Sequence, residues 1–269
     1  MENTNSVEKM MGRKLPSDYN LELIPQFITF DESAKFIELI DKSDKIDSTI
    51  GVEGKEVTNN TRISQTVALC DCTKMVMALK RKVAKHFDVP VINIEPVQAQ
   101  LYERGGKFDL HADGFDAKNK IKFGLASGNR TNTLMIYLNY DLEGGSTTFP
   151  NINQSFMPFT GLAWDNLDDK GEPDIRAKHS GDEVKFGKKY ILTFWVRENE
   201  FDYNEDVRLY NEHMELQRSL PPKYSNAEYH VIDTPKAITN ILTTIMSMEK
   251  DNYKIETGVE EIITHILIR

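Results

Sequence analysis

The chain has 269 residues and a formal net charge of −9 at pH 7, from 33 Lys and Arg against 42 Asp and Glu. This acidic balance gives no broad positive field for a phosphate backbone, so we expect no nucleic-acid partner. No apolar run is long enough to cross a membrane, and the N-terminal residues are polar and acidic where a secretory signal would be basic and then apolar. We therefore expect no membrane association and a cytoplasmic location.

The N-terminal part of the sequence predicts two helices separated by irregular segments. Residues 1–20 show no period and indicate a loosely ordered lead-in. Apolar residues at helical spacing predict one helix over Asp31–Ser43 and another over Thr73–Phe87. The Gly-, Asn- and charge-rich stretch Thr49–Asn60 predicts a loop, and a short strand is predicted near Ile63–Leu69.

From Val91 to Val196 the period of the apolar residues changes to two, which predicts a β-sandwich or barrel. The short β-rich runs are Val97–Tyr102, Thr133–Leu138, Leu162–Trp164 and Tyr190–Val196. After about residue 201 the texture is helical again. Helices are predicted over Asp206–Gln217 and Lys236–Met248.

His111 and Asp113 form the first half of a candidate metal site. They are two residues apart in a predicted strand, so both side chains project from one face. A His-x-Asp pair alone is a weak signal, and His179 alone is more typical of a surface loop. Together, two histidines and one carboxylate leave several coordination positions of a metal open, which is the pattern of non-haem Fe(II) oxygenases.

Lys189 follows His179 in a run whose apolar residues alternate. An oxygenase that consumes 2-oxoglutarate binds the distal carboxylate of that cosubstrate inside a barrel, where an unpaired negative charge is costly, so a buried cation is required. The period of two places Lys189, Trp195 and Arg197 on one face of the strand, and Lys188 on the other. Both lysines could instead protect an exposed sheet edge, but the face shared with Trp195 favours Lys189 as the cation.

Two hydroxyl groups could complete this pocket. Tyr102 lies on the predicted strand before His111, and Thr133 lies on the strand that follows Arg130. Each of them alone is typical of a half-buried strand residue that packs against its neighbours.

Taken together, these motifs resemble the prolyl 4-hydroxylase family, which belongs to the 2-oxoglutarate and Fe(II)-dependent dioxygenases. The resemblance covers roughly residues 20–200 and is strongest from Gln98 to Arg197. The segments that carry it, in order and at family spacing, are Leu101–Asp113, Arg130–Asn139, Gly144–Pro150, Pro158–Asn166 and His179–Trp195.

The resemblance implies a mainly β fold with flanking helices (α+β). Its core would be a double-stranded β-helix, or jelly roll, over about residues 91–198, inside a dioxygenase domain of residues 21–200. The N-terminal helices would pack on one side of this core. Residues 201–269 would form a helical extension that packs on the core or makes a dimer contact, so that the protein is a monomer or a homodimer.

The resemblance also assigns roles by matching position. His111, Asp113 and His179 would hold the iron, and Lys189 would pair with the distal carboxylate of 2-oxoglutarate. The further contacts would be Tyr102 and Thr133 donating hydrogen bonds to that carboxylate, Trp195 walling the pocket, and Phe108, Arg130 and Arg197 next to the substrate. The cosubstrates would be 2-oxoglutarate and O2, with ascorbate as a possible reductant.

The implied reaction is hydroxylation of a peptidyl proline in a protein or peptide, coupled to decarboxylation of 2-oxoglutarate to succinate and CO2. Two residues depart from the family pattern. Phe108 stands where many relatives have a tyrosine beside the substrate proline, and Glu183 replaces the proline usual after the third ligand. The segment Ala117–Asn129 falls where such enzymes carry a mobile loop. Three alternatives stay open: another residue as target, a small-molecule substrate, and a catalytically silent binding barrel. Nucleic-acid demethylation is disfavoured, because those enzymes typically present arginine at the position of Lys189.

Overall fold

The structure is a computed structural model that describes residues 18–52, 55–57, 60–69, 73–156 and 161–219. Most of the predicted lead-in, up to residue 17, lies outside the described residues. The predicted helix Lys236–Met248 also lies outside them.

Two amphipathic helices form where the apolar spacing predicts them. Helix α1 spans Phe30–Lys42 and begins at Thr29, whose hydroxyl accepts from the Glu32 amide while the Glu32 carboxylate accepts from the Thr29 amide. Such a reciprocal cap stabilises a helix start by about 1 kcal/mol. Helix α2 spans Lys74–Phe87 and is capped by the Thr73 hydroxyl. Both helices confirm the sequence prediction.

In the described part of the chain all strands pair antiparallel. In chain order they are β1 (Leu21–Ile24), β2 (Ile46–Asp47), β3 (Ile50–Val52), β4 (Lys55–Val57), β5 (Arg62–Ile63), β6 (Gln65–Ala68), β7 (Gln98–Tyr102), β8 (Lys107–His111), β9 (Arg130–Tyr137), β10 (Glu143–Gly144), β11 (Thr147–Phe149), β12 (Gln154–Phe156), β13 (Gly161–Asp165), β14 (His179–Gly181), β15 (Val184–Phe186) and β16 (Lys189–Arg197). The four strands predicted between Val91 and Val196 are present as β7, β9, β13 and β16.

The strands form two main sheets and two isolated pairs. The larger sheet has the order β1-β13-β9-β16-β7-β6-β2, and the smaller has the order β12-β11-β14-β8-β5. The pairs are β10-β15 and β3-β4. One apolar cluster contains side chains of both main sheets, among them Met135, Leu162 and Trp164 from the larger and Phe149 and Phe156 from the smaller. The two sheets therefore pack face to face as a sandwich.

The outer face of the larger sheet is covered by α1 and α2. A second apolar cluster joins Phe36 and Ile40 of α1 and Leu79 and Val83 of α2 to side chains of β6, β7, β9 and β16. Burial of each such side chain contributes about 2 kcal/mol. Alternation along β16 sends every second residue to this cluster, which leaves the intervening residues facing the interior of the sandwich.

One sequence prediction is wrong, and another is refined. The predicted loop Thr49–Asn60 contains the paired strands β3 and β4, because Ile50, Val52 and Val57 supply β-branched residues at the pairing positions. The segment Ala117–Asn129 contains helix α3 (Ala117–Phe123), which begins where the Asp116 carboxylate accepts from the Asn119 amide, and its mobility stays a prediction.

The chain divides into two compact units, residues 1–206 and residues 207–269. Helix α4 spans Tyr203–Ser219 and contains the described residues of the second unit. It covers the predicted helix Asp206–Gln217, whereas the predicted boundary near residue 200 stays a prediction. No helix in the described part of the chain has the length and apolarity of a membrane span.

Candidate active site

The three predicted metal ligands lie together between β8 and β14. These strands pair so that His111 is directly opposite His179, and Asp113 follows the end of β8 by two residues. The Nε2 atom of His111 is 3.7 Å from Asp113 Oδ1, and the Nε2 atom of His179 is 3.9 Å from Asp113 Oδ2. One ligand atom from each residue lies within 4.8 Å of the others.

Backbone carbonyls fix the orientation of both imidazoles. His111 Nδ1 is 2.8 Å from the Asp109 carbonyl oxygen, and His179 Nδ1 is 3.0 Å from the Ala177 carbonyl oxygen. Because a carbonyl only accepts, Nδ1 carries the proton and donates in each ring. The lone pair of each Nε2 therefore points toward Asp113, as a metal ligand requires.

Asp113 is held by a chain of hydrogen bonds from uncharged side chains. Its Oδ2 accepts from the Thr133 hydroxyl at 2.7 Å, and the Thr133 oxygen accepts from Asn166 Nδ2 at 2.9 Å. Burial alone raises the pKa of Asp113, but His179, His111 and Arg130 together with the Thr133 hydrogen bond outweigh burial and lower that pKa. Asp113 is thus an anion at neutral pH.

His111 is a neutral ligand for a related reason. Burial, assisted by His179, lowers the pKa of His111 to about 3, although Asp113 opposes the shift. Its ring stacks on Phe108 with 3.6 Å between the ring centroids. Phe108 therefore shields one side of the imidazole from water.

This donor set suits Fe(II). Two imidazoles and one carboxylate, each oriented by a second partner, are the 2-His-1-carboxylate triad that leaves coordination positions open for further ligands. His111, Asp113 and His179 are the only group of three or more metal-capable side chains found within the described residues.

A cavity of about 390 Å³, partly open to solvent, adjoins the three ligands. Lys189, Ile191, Thr193 and Trp195 of β16 line it together with Tyr102 of β7. The predicted alternation of β16 is confirmed up to Trp195 by this lining.

Lys189 is a buried cation at one end of the cavity. It is 1% exposed and lies directly opposite Tyr102 in the pairing of β16 with β7. Its Nζ is 5.1 Å from the ring centroid of Tyr102 and 4.8 Å from that of Tyr137. Among the described residues no carboxylate lies within ion-pair distance of this ammonium group, and burial lowers the pKa of Lys189 to about 7.

Trp195 forms the opposite wall of the cavity and carries a cation on its ring. The guanidinium of Arg130 lies 3.7 Å from the Trp195 ring centroid and makes two hydrogen bonds, of 2.7 and 2.8 Å, to the Glu95 carboxylate. Arg130 therefore supports the wall, and its charge is neutralised by Glu95.

Two residues lie elsewhere than their predicted roles require. Thr133 is fully buried behind Asp113, does not line the cavity, and donates its hydroxyl to the metal ligand. Arg197, predicted to contact the substrate, is 2% exposed and pairs with Glu95 and Asp206, so it cannot contact a peptide in this arrangement. Its strand has a register shift between Val196 and Arg197, which breaks the alternation that places Arg197 beside Trp195.

Other cavity residues were not predicted from the sequence. Gln100 lies on the same face of β7 as Tyr102, so extending the alternation by one step would have identified it. Arg62 and Thr147 reach the cavity from β5 and β11. Their positions depend on the pairing of distant strands, for which the local sequence gives no signal.

Comparison with known proteins agrees with this geometry. Residues 97–197 match the family model described as the 2OG-Fe(II) oxygenase superfamily. The chain is 33% identical over 149 residues to a protein of Acanthamoeba polyphaga mimivirus named "Putative prolyl 4-hydroxylase", which corresponds to 53% of this chain and 61% of that protein. It is 30% identical over 192 residues to prolyl 4-hydroxylase subunit alpha-3 of Rattus norvegicus, which corresponds to 69% of this chain and 34% of the rat protein. The chain thus spans less than two thirds of the length of these relatives.

Solved structures show the same fold. The 2OG complex of the viral collagen prolyl hydroxylase from Paramecium Bursaria Chlorella virus-1 superimposes with a TM-score of 0.53 and 25% identity, over 67% of this chain and 97% of that one. A prolyl hydroxylase from Trichoplax adhaerens, solved with a peptide of hypoxia inducible factor, gives a TM-score of 0.51 at 14% identity, over 77% and 92% of the two chains, and shows the fold alone. The predicted jelly roll with helices on one side is confirmed. Residues 97–197 thus match the 2OG-Fe(II) oxygenase superfamily, and the chain is similar to prolyl 4-hydroxylases.

Proposed function

We propose that the protein is a 2-oxoglutarate- and Fe(II)-dependent dioxygenase that hydroxylates a proline in a protein or peptide. The observation that carries this proposal is the meeting of a metal triad and a buried cation in one cavity. An open triad of His111, Asp113 and His179 shares that cavity with the buried, unpaired ammonium of Lys189. An open metal triad and a buried cation together suit a dicarboxylate that reaches from one to the other.

Iron would be held by His111, Asp113 and His179, with O2 and 2-oxoglutarate as cosubstrates and ascorbate as a possible reductant. When bound, the iron supplies the oxidative decarboxylation of 2-oxoglutarate to succinate and CO2, coupled to hydroxylation of a carbon of the substrate. The protein's own contribution is to hold the two imidazoles and the ionised Asp113 in fixed orientations.

Lys189 would bind the distal carboxylate of 2-oxoglutarate. Its ammonium is desolvated and lacks an anionic partner among the described residues, so an incoming carboxylate would complete a buried ion pair. The Tyr102 side chain lies opposite it, where a phenol hydroxyl can donate to the same carboxylate. The hydroxyl of Thr133 would instead orient Asp113.

The substrate would enter next to Phe108 and Trp195. Phe108 lines the cavity and covers His111, and Trp195 provides an aromatic wall backed by Arg130. These apolar rings suit a proline side chain and restrict the access of water to the reacting carbon. A proline-containing protein or peptide in the cytoplasm is therefore the proposed partner, and the prolyl hydroxylases among the relatives support this choice.

One observation favours a second candidate within the same chemistry. Phe108 stacks on the ligand His111 and has no hydroxyl, whereas many members of the resembled family place a tyrosine there. Loss of that hydroxyl removes a hydrogen bond that a peptide could make. A different residue or a small molecule is thus the alternative substrate.

The test is succinate formation from 2-oxoglutarate by the full chain, loaded with Fe(II) under anaerobic conditions and then exposed to O2. It is run alone and with proline-rich peptides, using Asp113→Asn beside the matched control Asp44→Asn, an exposed acid outside the cavity. We expect turnover in wild type and Asp44→Asn, no turnover in Asp113→Asn, and stimulation by at least one peptide.

Each other result has a distinct meaning. Turnover without stimulation by any peptide would move the proposal to the non-prolyl alternative. Absence of turnover together with absence of iron-dependent binding of 2-oxoglutarate would contradict the enzyme and favour the silent barrel.

A further inference from the structure

Four charged side chains of alternating sign form a buried row beside the Trp195 wall. Arg130 donates from Nε and Nη2 to the two carboxylate oxygens of Glu95. Arg197 Nη1 lies 3.1 Å from Glu95 Oε1. The second terminal nitrogen of Arg197 lies 3.4 Å from Asp206 Oδ2. We call these four residues, Arg130, Glu95, Arg197 and Asp206, the charge row.

The charge row is shielded from solvent along its length. The side chains of Glu95, Arg197 and Asp206 are 9%, 1% and 4% exposed, and that of Arg130 is 17% exposed. Charges at such low exposure are retained only if they are paired, and a partner that is lost leaves an uncompensated charge behind. The row therefore transmits the loss of one member to its neighbours.

Asp206 connects the charge row to the segment that precedes β9. Its Oδ1 accepts from the amides of Ala126 and Ser127 at 2.7 and 3.1 Å, and its Oδ2 accepts from the Ser127 hydroxyl at 2.5 Å. One carboxylate thus makes three hydrogen bonds to two adjacent residues and an ion pair to Arg197. Arg197 adds a hydrogen bond to the carbonyl of Phe123 at the end of α3.

The same segment is closed at its base by Asn129. The side-chain oxygen of Asn129 accepts from the backbone N–H of Phe115 at 2.7 Å, and its side-chain nitrogen donates to the Phe115 carbonyl at 3.0 Å. Glu198 fixes the backbone of Asn129, because the Glu198 Oε2 accepts from the backbone N–H of Asn129 at 2.8 Å. Residues 115–129 therefore form an excursion, α3 included, that leaves the barrel two residues after the ligand Asp113.

The other end of the charge row reaches the cavity. Arg130 directly follows the excursion, and its guanidinium lies on the ring of Trp195, which lines the cavity. Phe115 is 4.9 Å from the Arg130 guanidinium and 4.8 Å from that of Arg197, measured to the ring centroid. The excursion and the Trp195 wall consequently depend on the same four charges.

We propose that Asp206 is a positioning residue that fixes the excursion 115–129 and, through the charge row, the Trp195 wall on the substrate side of the cavity. The effect on substrate rests on the proposed function, whereas the effect on the excursion does not. Asp206 touches neither the metal ligands nor Lys189 within the described contacts, so its loss leaves iron and cosubstrate binding in place.

The test uses Asp206→Asn and Asp206→Ala in the full chain, with Glu200→Gln as a matched control at an exposed acid nearby in sequence. Asparagine keeps an oxygen for the two amides but loses the ion pair, and alanine loses both. Hydrogen exchange measured by mass spectrometry should show faster exchange in residues 116–128, by about tenfold or more in Asp206→Ala and by less in Asp206→Asn. Exchange in β7, β9 and β16 and in the whole of Glu200→Gln should be as in wild type.

Steady-state kinetics then test the substrate side. We expect the KM for the stimulating substrate to rise several-fold in the same order, on the order of tenfold for Asp206→Ala, because a loosened wall positions substrate less well. The KM for 2-oxoglutarate and its turnover without substrate should not change. This split between the two KM values is one that a merely destabilised fold would not produce.

Three results would overturn the proposal. Unchanged exchange in 116–128 would show that Asp206 does not fix the excursion, and equal acceleration in all segments would assign Asp206 to global stability. Faster exchange confined to 116–128 with an unchanged KM for substrate would show that Asp206 does not position the Trp195 wall. If wild type turns over no 2-oxoglutarate, the proposed function fails and the exchange result alone decides the positioning of the excursion.

Discussion

Two groups of buried charge lie on either side of the same cavity, and they differ in how their charge is compensated. The charge row of Arg130, Glu95, Arg197 and Asp206 alternates in sign and is closed by hydrogen bonds. Lys189 is as deeply buried, yet only the rings of Tyr102 and Tyr137 face its ammonium at cation–π distance. A compensated set of charges supports a fold, whereas an uncompensated one reserves a place for a ligand of opposite charge.

Breaking the compensated side should give the largest effect on stability. Arg197→Met should destabilise the fold by about 3 to 5 kcal/mol, because it leaves Glu95 and Asp206 buried without their shared cation. Arg208→Met is the matched control, since Arg208 is 51% exposed and its pair with Glu212 is worth about 1 kcal/mol or less. Urea unfolding of both variants measures the difference, and a wild-type midpoint for Arg197→Met would contradict the structural role of the row.

Removing the uncompensated charge of Lys189 should have the opposite effect on stability. Lys189→Met should stabilise the protein without cosubstrate by about 2 to 4 kcal/mol and weaken binding of 2-oxoglutarate by about a hundredfold or more. The pKa of Lys189 is about 7 in the folded protein and 10.5 in the unfolded chain. Between pH 7 and pH 10.5 the folded state therefore binds fewer protons than the unfolded state, and the stability of the wild type rises with pH. The stability gained by Lys189→Met relative to wild type should therefore be largest below pH 7 and decline toward pH 10.5.

Lys188→Met provides the control for this substitution, because Lys188 is half exposed and pairs with the exposed Glu103. Unfolding curves at several pH values and calorimetric titration with 2-oxoglutarate supply both readouts. A Lys189→Met protein that is less stable than wild type and still binds 2-oxoglutarate would contradict the contrast between the compensated charge row and the uncompensated Lys189.

A smaller effect should separate the two predicted hydroxyl donors. Thr133→Val keeps the shape of the side chain but leaves Asp113 without its hydrogen bond, so iron affinity should fall by about 10- to 100-fold. Tyr102→Phe should leave iron affinity unchanged and weaken 2-oxoglutarate binding by about tenfold, as for one hydrogen bond to a charged group. Equal effects of the two substitutions on both ligands would contradict this division.

Within one pH unit of 7, the smallest expected effect is a pH dependence of cosubstrate binding. A bound carboxylate raises the pKa of Lys189 from about 7, since an opposite charge favours the ammonium form. At pH 8 binding should take up close to one proton, and affinity should decline by up to about tenfold per pH unit above 7. Calorimetry of the iron-loaded protein in buffers of different ionisation enthalpy measures the uptake, which should be absent in Lys189→Met.

The features that were predictable from the sequence are those with local causes. The alternation in β16 is a property of nine consecutive residues and placed Lys189 and Trp195 on the cavity face. The His111 and Asp113 pair is equally local. Family spacing then added His179, which the local sequence alone assigned to a surface loop.

The features that sequence reasoning missed depend on contacts between distant segments. Thr133 could serve the cosubstrate or a metal ligand, and only the placement of β9 behind Asp113 decides between them. The burial of Arg197 follows from a register shift at the end of β16 and from Asp206, nine residues later. Helix α3 is an exception, because its Asp116 cap is a local contact that the charge-rich composition of the segment concealed.

The Asn129 clamp makes the excursion 115–129 an exchangeable module. Because one amide side chain binds both the amide and the carbonyl of Phe115, the two ends of the excursion are held together whatever lies between them. Loop length affects closure only weakly, so residues 116–122, which precede the contacts of Phe123, Ala126 and Ser127 with Arg197 and Asp206, can change in length and sequence while the barrel and Asp113 keep their positions. Such an arrangement lets evolution or an engineer alter what the enzyme accepts without rebuilding the chemistry beneath it.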